Sequence, residues 1–229
     1  MTENSNNLSD IIKIIQNNNN IEVKLPQSKE TISVKRLNLK SISELSPIIS
    51  QGDSNKIIID YNKFLIKNVK SRVNRDISYL DYYTTAITLR SAENSTYKDI
   101  NLKEIINNLN IDSLKYKTEE TLIEDNITFH IKFELPNIDR LQGIINKVNT
   151  SESSDLLFFS VFKYIKQIEI ISKDSKSLVN SIGDLKTIYD IISYKVLNKI
   201  SITTSSIEKE LYSLFKVNIE TDTSFLYSI

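Results

Sequence analysis

The stretch "SYLDYYTTAITLRSAEN", Ser78–Asn94, is the one whose reading decides the fold. Wound as a helix at 100° per residue, it places Tyr79, Tyr82, Tyr83, Ala86, Ile87 and Leu89 on one broad face. Asp81, Thr84 and Thr88 fall on the other. Arg90 lands among the tyrosines, about 20° from Tyr79 on that wheel. A guanidinium on a face meant for the interior needs a partner or a wet exit. Ser78 fits as the N-cap and Asp81 as first-turn acid, so the spacing predicts a helix over 79–91.

Composition narrows what surrounds this helix. The chain has 229 residues, 29 basic and 29 acidic, hence no formal net charge. Binding driven by phosphate neutralisation needs a cationic surplus, so no nucleic-acid partner is expected. No apolar run reaches the roughly 18 residues of a membrane span, and the start "MTENSNNLSD" carries no signal-peptide core. Zero cysteines remove disulfides and thiolate chemistry and point to the cytosol. Three isolated glycines, Gly52, Gly143 and Gly183, exclude a phosphate-cradling glycine loop.

Outward from the tyrosine helix, the pattern alternates between periods of 3.6 and 2. Residues 1–20 read as a polar leader with a short stripe, Ile11, Ile12 and Ile15, behind Ser9. "IEVKL" and "TISVKRL" around "PQSKE" predict a β-hairpin. Ser41 and Glu44 have capping-box spacing for a short helix in which Pro47 is awkward. Asp53 caps a helix over 54–75 with Lys63, Lys67 and Lys70 on its outer face. A short helix at "LKEIINNL" precedes β-segments "LKYKT", "ETLIE" and "ITFHIKFELP". "LLFFSVFKYIKQIEII" reads as a helix turning into a strand near Gln167. "SKSLVNSIGD" suggests a short helix, Asp184 caps a longer one to about Lys199, and "ISITTSS…KVNIETDTSFLYSI" suggests a final strand pair. The result is an α+β fold: a leader over 1–20, a hairpin–helix–β part over 21–149, and a helical half with a β-ending over 150–229. The polar run "NKVNTSESSD" marks the boundary, and a single domain is the alternative.

Catalytic chemistry finds no purchase in these patterns. His130 stands alone on the polar side of a strand, without further His or Cys for a metal or an activated serine. Glu119–Glu120 and Glu124–Asp125 are paired carboxylates on exposed β-segments. The expectation is therefore a non-enzyme without metal or cofactor whose work is contact, with eleven tyrosines suited to interfaces.

Two motifs carry a resemblance. "LPQSKETISVKRLNLKSISEL" resembles the opening of the T4-type phage baseplate hub protein family: Leu25-Pro26, Lys35 and Lys40 keep its spacing, and Leu37 and Leu39 fit its apolar positions. Lys29 and Arg36 stand where that family has a glycine and a second proline. "DYYTTAITLR" resembles its Asp-to-Leu-Arg helix through Asp81, Leu89 and Arg90, while "SAENS" departs from the turn expected next. The order of later segments also follows the family, without the cysteine pairs some members carry. The resemblance implies a structural or assembly component of the central baseplate hub of a contractile tail, in the virion or in host cytoplasm during assembly. It implies other baseplate or hub proteins as partners, with self-association left open, and no catalytic residues. The alternative is a scaffold or adaptor of another multiprotein complex. The structural and interface candidates are Asp81, Tyr83, Arg90, Phe158, Phe162, Ile165, Phe225 and Tyr227. Phe158, Phe162 and Ile165 form one helical stripe in an all-round apolar segment; either one side of it meets another subunit or it is the central core helix of the second half.

Overall fold

In the computed structural model, which describes residues 19–38, 43–148 and 153–226, helices and antiparallel strands combine as an α+β fold. The hairpin β1 (Asn20–Lys24) and β2 (Thr31–Lys35) precedes a single turn, α1 (Ser46–Ile49). Two longer helices follow, α2 (Ser54–Val73) and α3 (Tyr79–Glu93), then a tiny hairpin, β3 (Thr96–Tyr97) and β4 (Ile100–Asn101), and α4 (Leu102–Asn107). The second part runs β5 (Glu119–Glu124), β6 (Ile127–Phe133), α5 (Ile138–Ile145), α6 (Ser153–Phe162), β7 (Ile165–Ser172) and β8 (Ser175–Val179). It ends with α7 (Ile182–Ile191) and α8 (Tyr194–Phe215).

Helix α3 is the centre of the molecule. Ser78 Oγ accepts from the Asp81 N–H at 3.2 Å, as its capping position demands. Twelve of the fifteen helical residues are buried, so the two-faced wheel is corrected: Asp81 and Thr84, assigned to the polar side, are as enclosed as the tyrosines. Part of this polar content is met close by, while Tyr82 Oη and Thr84 Oγ1 find no hydrogen-bond partner among the described residues. Thr85 Oγ1 donates to the Asp81 carbonyl at 2.7 Å and Thr88 Oγ1 to that of Thr84 at 2.8 Å. Asp81 itself reaches outward: its Oδ1 accepts the Gln27 N–H at 2.8 Å, fastening the β1–β2 turn to the helix start. The two stretches that carry the family resemblance therefore touch.

Strands β5-β6-β7-β8 form one antiparallel sheet in that order, so strands from both sides of the polar run at 146–155 pair directly. Asp125 and Asn126 both take positive φ, 47° and 66°, the twist that a two-residue hairpin turn needs. Leu122, Ile131, Phe133, Ile168 and Val179 are buried in the single apolar core that also holds α3 and α6. Helix α8 lies beside the edge strand β5, where Thr203 Oγ1 donates to Glu120 and Ser193 Oγ to Glu124.

Several expectations change. "SITTSS" is helical within α8, not a strand: its β-branched residues are outvoted by a stripe at helical spacing, Val196, Ile200, Thr203, Ile207, Leu211 and Phe215, that buries one face. No strand follows it among the described residues. "SKSLV" is strand β8 instead of a helix, and residues 114–118 belong to no strand. α7 is capped by Ser181 rather than Asp184 and stops at Ile191, and α5, capped by Asn137, was not anticipated. Pro47 sits in the first turn of α1, where its missing N–H has no intrahelical partner to lose. The leader stripe and Ser41 lie outside the described residues.

Replacing Asp81 by Ala should remove the tether between hairpin and helix and strand the Gln27 N–H. The expected loss is about 1–3 kcal/mol in urea unfolding, with amide exchange accelerated first in residues 25–30. Unchanged exchange in that turn would refute the tether.

Candidate functional site

The densest chemistry lies beneath α3. Lys163 and Tyr164 form the link between α6 and β7, Glu208 comes from α8, and Glu220 from the segment after it. Lys163 is buried, with Nζ 2.8 Å from Glu208 Oε1 and paired also with Glu220 Oε2. Tyr79 Oη donates to Glu220 Oε2 at 2.9 Å and lies 3.1 Å from Tyr164 Oη, which donates to Glu208 Oε1 at 2.6 Å. Tyr83 Oη donates to Asn218 Oδ1 at 3.3 Å, and the same oxygen accepts the Glu220 N–H at 3.1 Å. From α2, Asn62 Nδ2 donates to the Glu220 carbonyl at 2.8 Å. Five separate stretches of chain thus meet at one ion cluster.

One cation faces two carboxylates, and the electrostatics follow from that count. Burial, together with the nearby Glu208, pushes the Glu220 carboxyl above its ordinary value, against the pull of Lys163. Burial alone would lower the Lys163 amine, but Glu208 and Glu220 outweigh it and hold the amine above 10.5. An amine kept protonated by two carboxylates is neither nucleophile nor Schiff-base former. Aromatic rings close round it, Tyr164 at 4.8 Å and Phe159 at 5.3 Å from Nζ to ring centre. A cavity of about 270 Å³, lined by Leu156, Phe159, Thr204, Glu208 and Glu220, approaches from the α6–α8 side. The arrangement locks elements together.

The residues singled out from sequence take definite places. Arg90 is 1% exposed, its Nε donating to the Phe225 carbonyl at 2.8 Å and Nη1 to the Asn94 carbonyl at 3.2 Å. It clamps the chain beyond α8 through backbone oxygens. Phe225 is itself buried, edge-on to Tyr97 at 5.1 Å between ring centres. Tyr83 stacks against Phe215 at 5.0 Å. Phe158 and Phe162 are buried against each other and Tyr189, so this chain already covers the face expected to meet another subunit. Ile165 is buried in β7, since the helix ends at Phe162 rather than near Gln167. Tyr227 lies outside the described residues. His130 is half-exposed and 2.9 Å from Thr121 Oγ1. Glu119 pairs with Lys132 and Glu120 with Lys117. The ion cluster went unseen in the sequence because Lys163, Glu208 and Glu220 share no local motif; a lysine amid "FFSVFKYI" was the one local sign of a buried charge.

Among the described residues no group of three His, Cys, Asp or Glu could hold a metal, and no helix is long and apolar enough to cross a membrane. No protein-family model, curated protein or solved structure matches this chain.

Burial, reinforced by neighbouring carboxylates, holds the phenols of Tyr61, Tyr79, Tyr82, Tyr83 and Tyr164 well above 10.0. Unfolded phenols ionise near that value while the folded ones keep their protons, so the native state binds more protons and loses stability as pH rises past it. Lys163, also raised, acts in the same direction: its contribution is present below 10.5 and vanishes as pH climbs through the folded value. Urea midpoints should fall steeply above about pH 10, and phenolate absorbance from these tyrosines should appear only with unfolding. A smooth titration of all eleven in the folded protein would contradict their burial. Arg90→Ala should cost about 2–4 kcal/mol by leaving the Phe225 carbonyl unpaired and the guanidinium space empty. A change below about 0.5 kcal/mol in urea unfolding would remove Arg90 from the clamp.

Proposed function

We propose that this chain is a structural or assembly component of the central baseplate hub of a contractile phage tail. It works by protein–protein contact, in the virion tail baseplate or in host cytoplasm during assembly. The observation that carries the contact role is an apolar surface on the second half. Leu178 (55%), Ile191 (73%), Tyr194 (80%), Ile202 (64%) and Tyr212 (54%) are all more than half exposed. Ile191 and Tyr194 flank the α7–α8 corner, while Ile123 of β5, 69% exposed, lies on the sheet face turned away from α8. Two large apolar side chains exposed at one corner, with further ones on β8 and α8, suit docking better than turnover. The hub assignment rests on the resemblance of "LPQSKETISVKRL" and "DYYTTAITLR", and the Asp81–Gln27 bond gives these two motifs a shared structural role.

This reading moves the expected contact surface from Phe158, Phe162 and Ile165 to the exposed corner. Co-expression with tail proteins encoded beside it, followed by size exclusion with light scattering, should yield a stable complex. Ile191→Ala with Tyr194→Ala should weaken that complex roughly tenfold or more without changing urea stability. A chain that stays monomeric with every one of those proteins would defeat the proposal.

A further inference from the structure

A second surface, on the opposite, N-terminal part of the chain, carries its own logic. Between β2 and the last turns of α2 runs an open cleft of about 520 Å³. Every described residue lining it is polar or charged, and four are cationic: Lys35, Arg36, Lys67 and Arg72. Glu44 is the one carboxylate among them. In a chain without net charge, this is a local surplus of three positive charges, four minus one.

The lysine row of α2 divides here. Lys63 pairs with Asp60 at 3.8 Å, and Lys70 with Asp139 at 2.5 Å and Gln142 at 2.6 Å, so both are engaged. Lys67, between them, is exposed and points its charge into the cleft wall without an ion pair among the described residues. Arg72 is held in place by its own side: Nε donates to the Lys35 carbonyl at 3.1 Å, and Nη1 to the Asn68 carbonyl at 2.9 Å and Oδ1 at 2.7 Å. A guanidinium fixed in this way costs little further ordering when an anion arrives.

The backbone decides what kind of anion fits. Among the described residues β2 pairs with β1 alone, in a two-stranded sheet. The Leu25 N–H bonds the Glu30 carbonyl and the Arg36 N–H bonds the Asn19 carbonyl. By the antiparallel alternation, Ser33 and Lys35 then turn their own N–H and C=O groups away from β1, towards the free edge. The Lys35 carbonyl taken by Arg72 confirms that direction. A free strand edge beside a cationic wall offers paired backbone hydrogen bonds and carboxylate partners together. The lining has no aromatic or apolar residue on which a base could stack.

We infer that this cleft is a docking site for an extended acidic segment of a partner protein, its backbone paired at Ser33 and its carboxylates set against Lys35, Arg36 and Lys67. The assignment stands apart from the hub reading and from the apolar corner.

The test is fluorescence anisotropy with a labelled peptide of alternating Glu and Thr, measured at low salt and at high salt. A Gln–Thr peptide and a short single-stranded DNA serve as competitors. The Glu–Thr peptide should bind, lose affinity with salt, and outcompete both. Lys35→Ala with Lys67→Ala, both exposed, should weaken it roughly three- to tenfold, while Lys209→Ala on α8 leaves it unchanged. Ser33→Pro, which deletes the outward N–H at a free edge that tolerates proline, should weaken it as well. Equal binding of the Gln–Thr peptide, tighter binding of the DNA through the same lysines, or indifference to the lysine pair would each overturn the inference.

Discussion

Glu220 is a carboxylate buried to 1% exposure, and the rest of the interior is arranged round that constraint. A buried charge is tolerable only when an opposite charge and several hydrogen bonds surround it. Lys163 supplies the charge, Tyr79 a hydroxyl, and Asn218 and Asn62 fix the backbone on either side of the carboxylate. These partners come from α2, α3, the α6–β7 link and the chain after α8. Each element is thereby placed by its relation to one group. Such a cluster adds less to stability than an equal volume of packed leucine, but deleting one member leaves its opposite stranded. Its tolerance for substitution is accordingly low.

The aromatic row of α3 serves the same constraint. Tyr79 lies 5.0 Å from Tyr83 and 5.9 Å from Tyr164 between ring centres, giving the cluster a wall that is apolar on its faces and polar at its tips. Phenylalanine would pack as well and leave Glu220 a bond short. Eleven tyrosines read from composition suggested surface stickiness; the structure sends those of α3 inward, where the hydroxyls of Tyr79 and Tyr83 bond Glu220 and Asn218.

Much of the architecture was legible because it is local. The caps Asp53 and Ser78, the stripe of α2, the alternation of β6 and the β1–β2 hairpin all announce themselves within a dozen residues, and Arg90 marked itself as an anomaly on an apolar face. What stayed hidden is long-range. "ISITTSS" alternates like a strand over seven residues and repeats like a helix over twenty, and the longer period prevailed because it buries more. The all-round apolar α6 left a missing subunit and a core helix both open, since sequence alone could not show that α7 covers it with Tyr189. The cationic cleft and the ion cluster each join residues more than thirty positions apart, with no motif to link them.

The clamp on the chain beyond α8 has a temporal side. Arg90 precedes its partner, the Phe225 carbonyl, by 135 positions, and Lys163 precedes the Glu220 carboxylate by 57. Until translation reaches those residues, a growing chain holds two cations that its own core cannot enclose without loss. The central helix therefore cannot settle as synthesis proceeds, and packing closes as one late event after residue 225 has left the ribosome. Until residues 215 to 220 are made, Tyr79 and Tyr83 lack Phe215, Asn218 and Glu220, the groups that meet them in the finished fold.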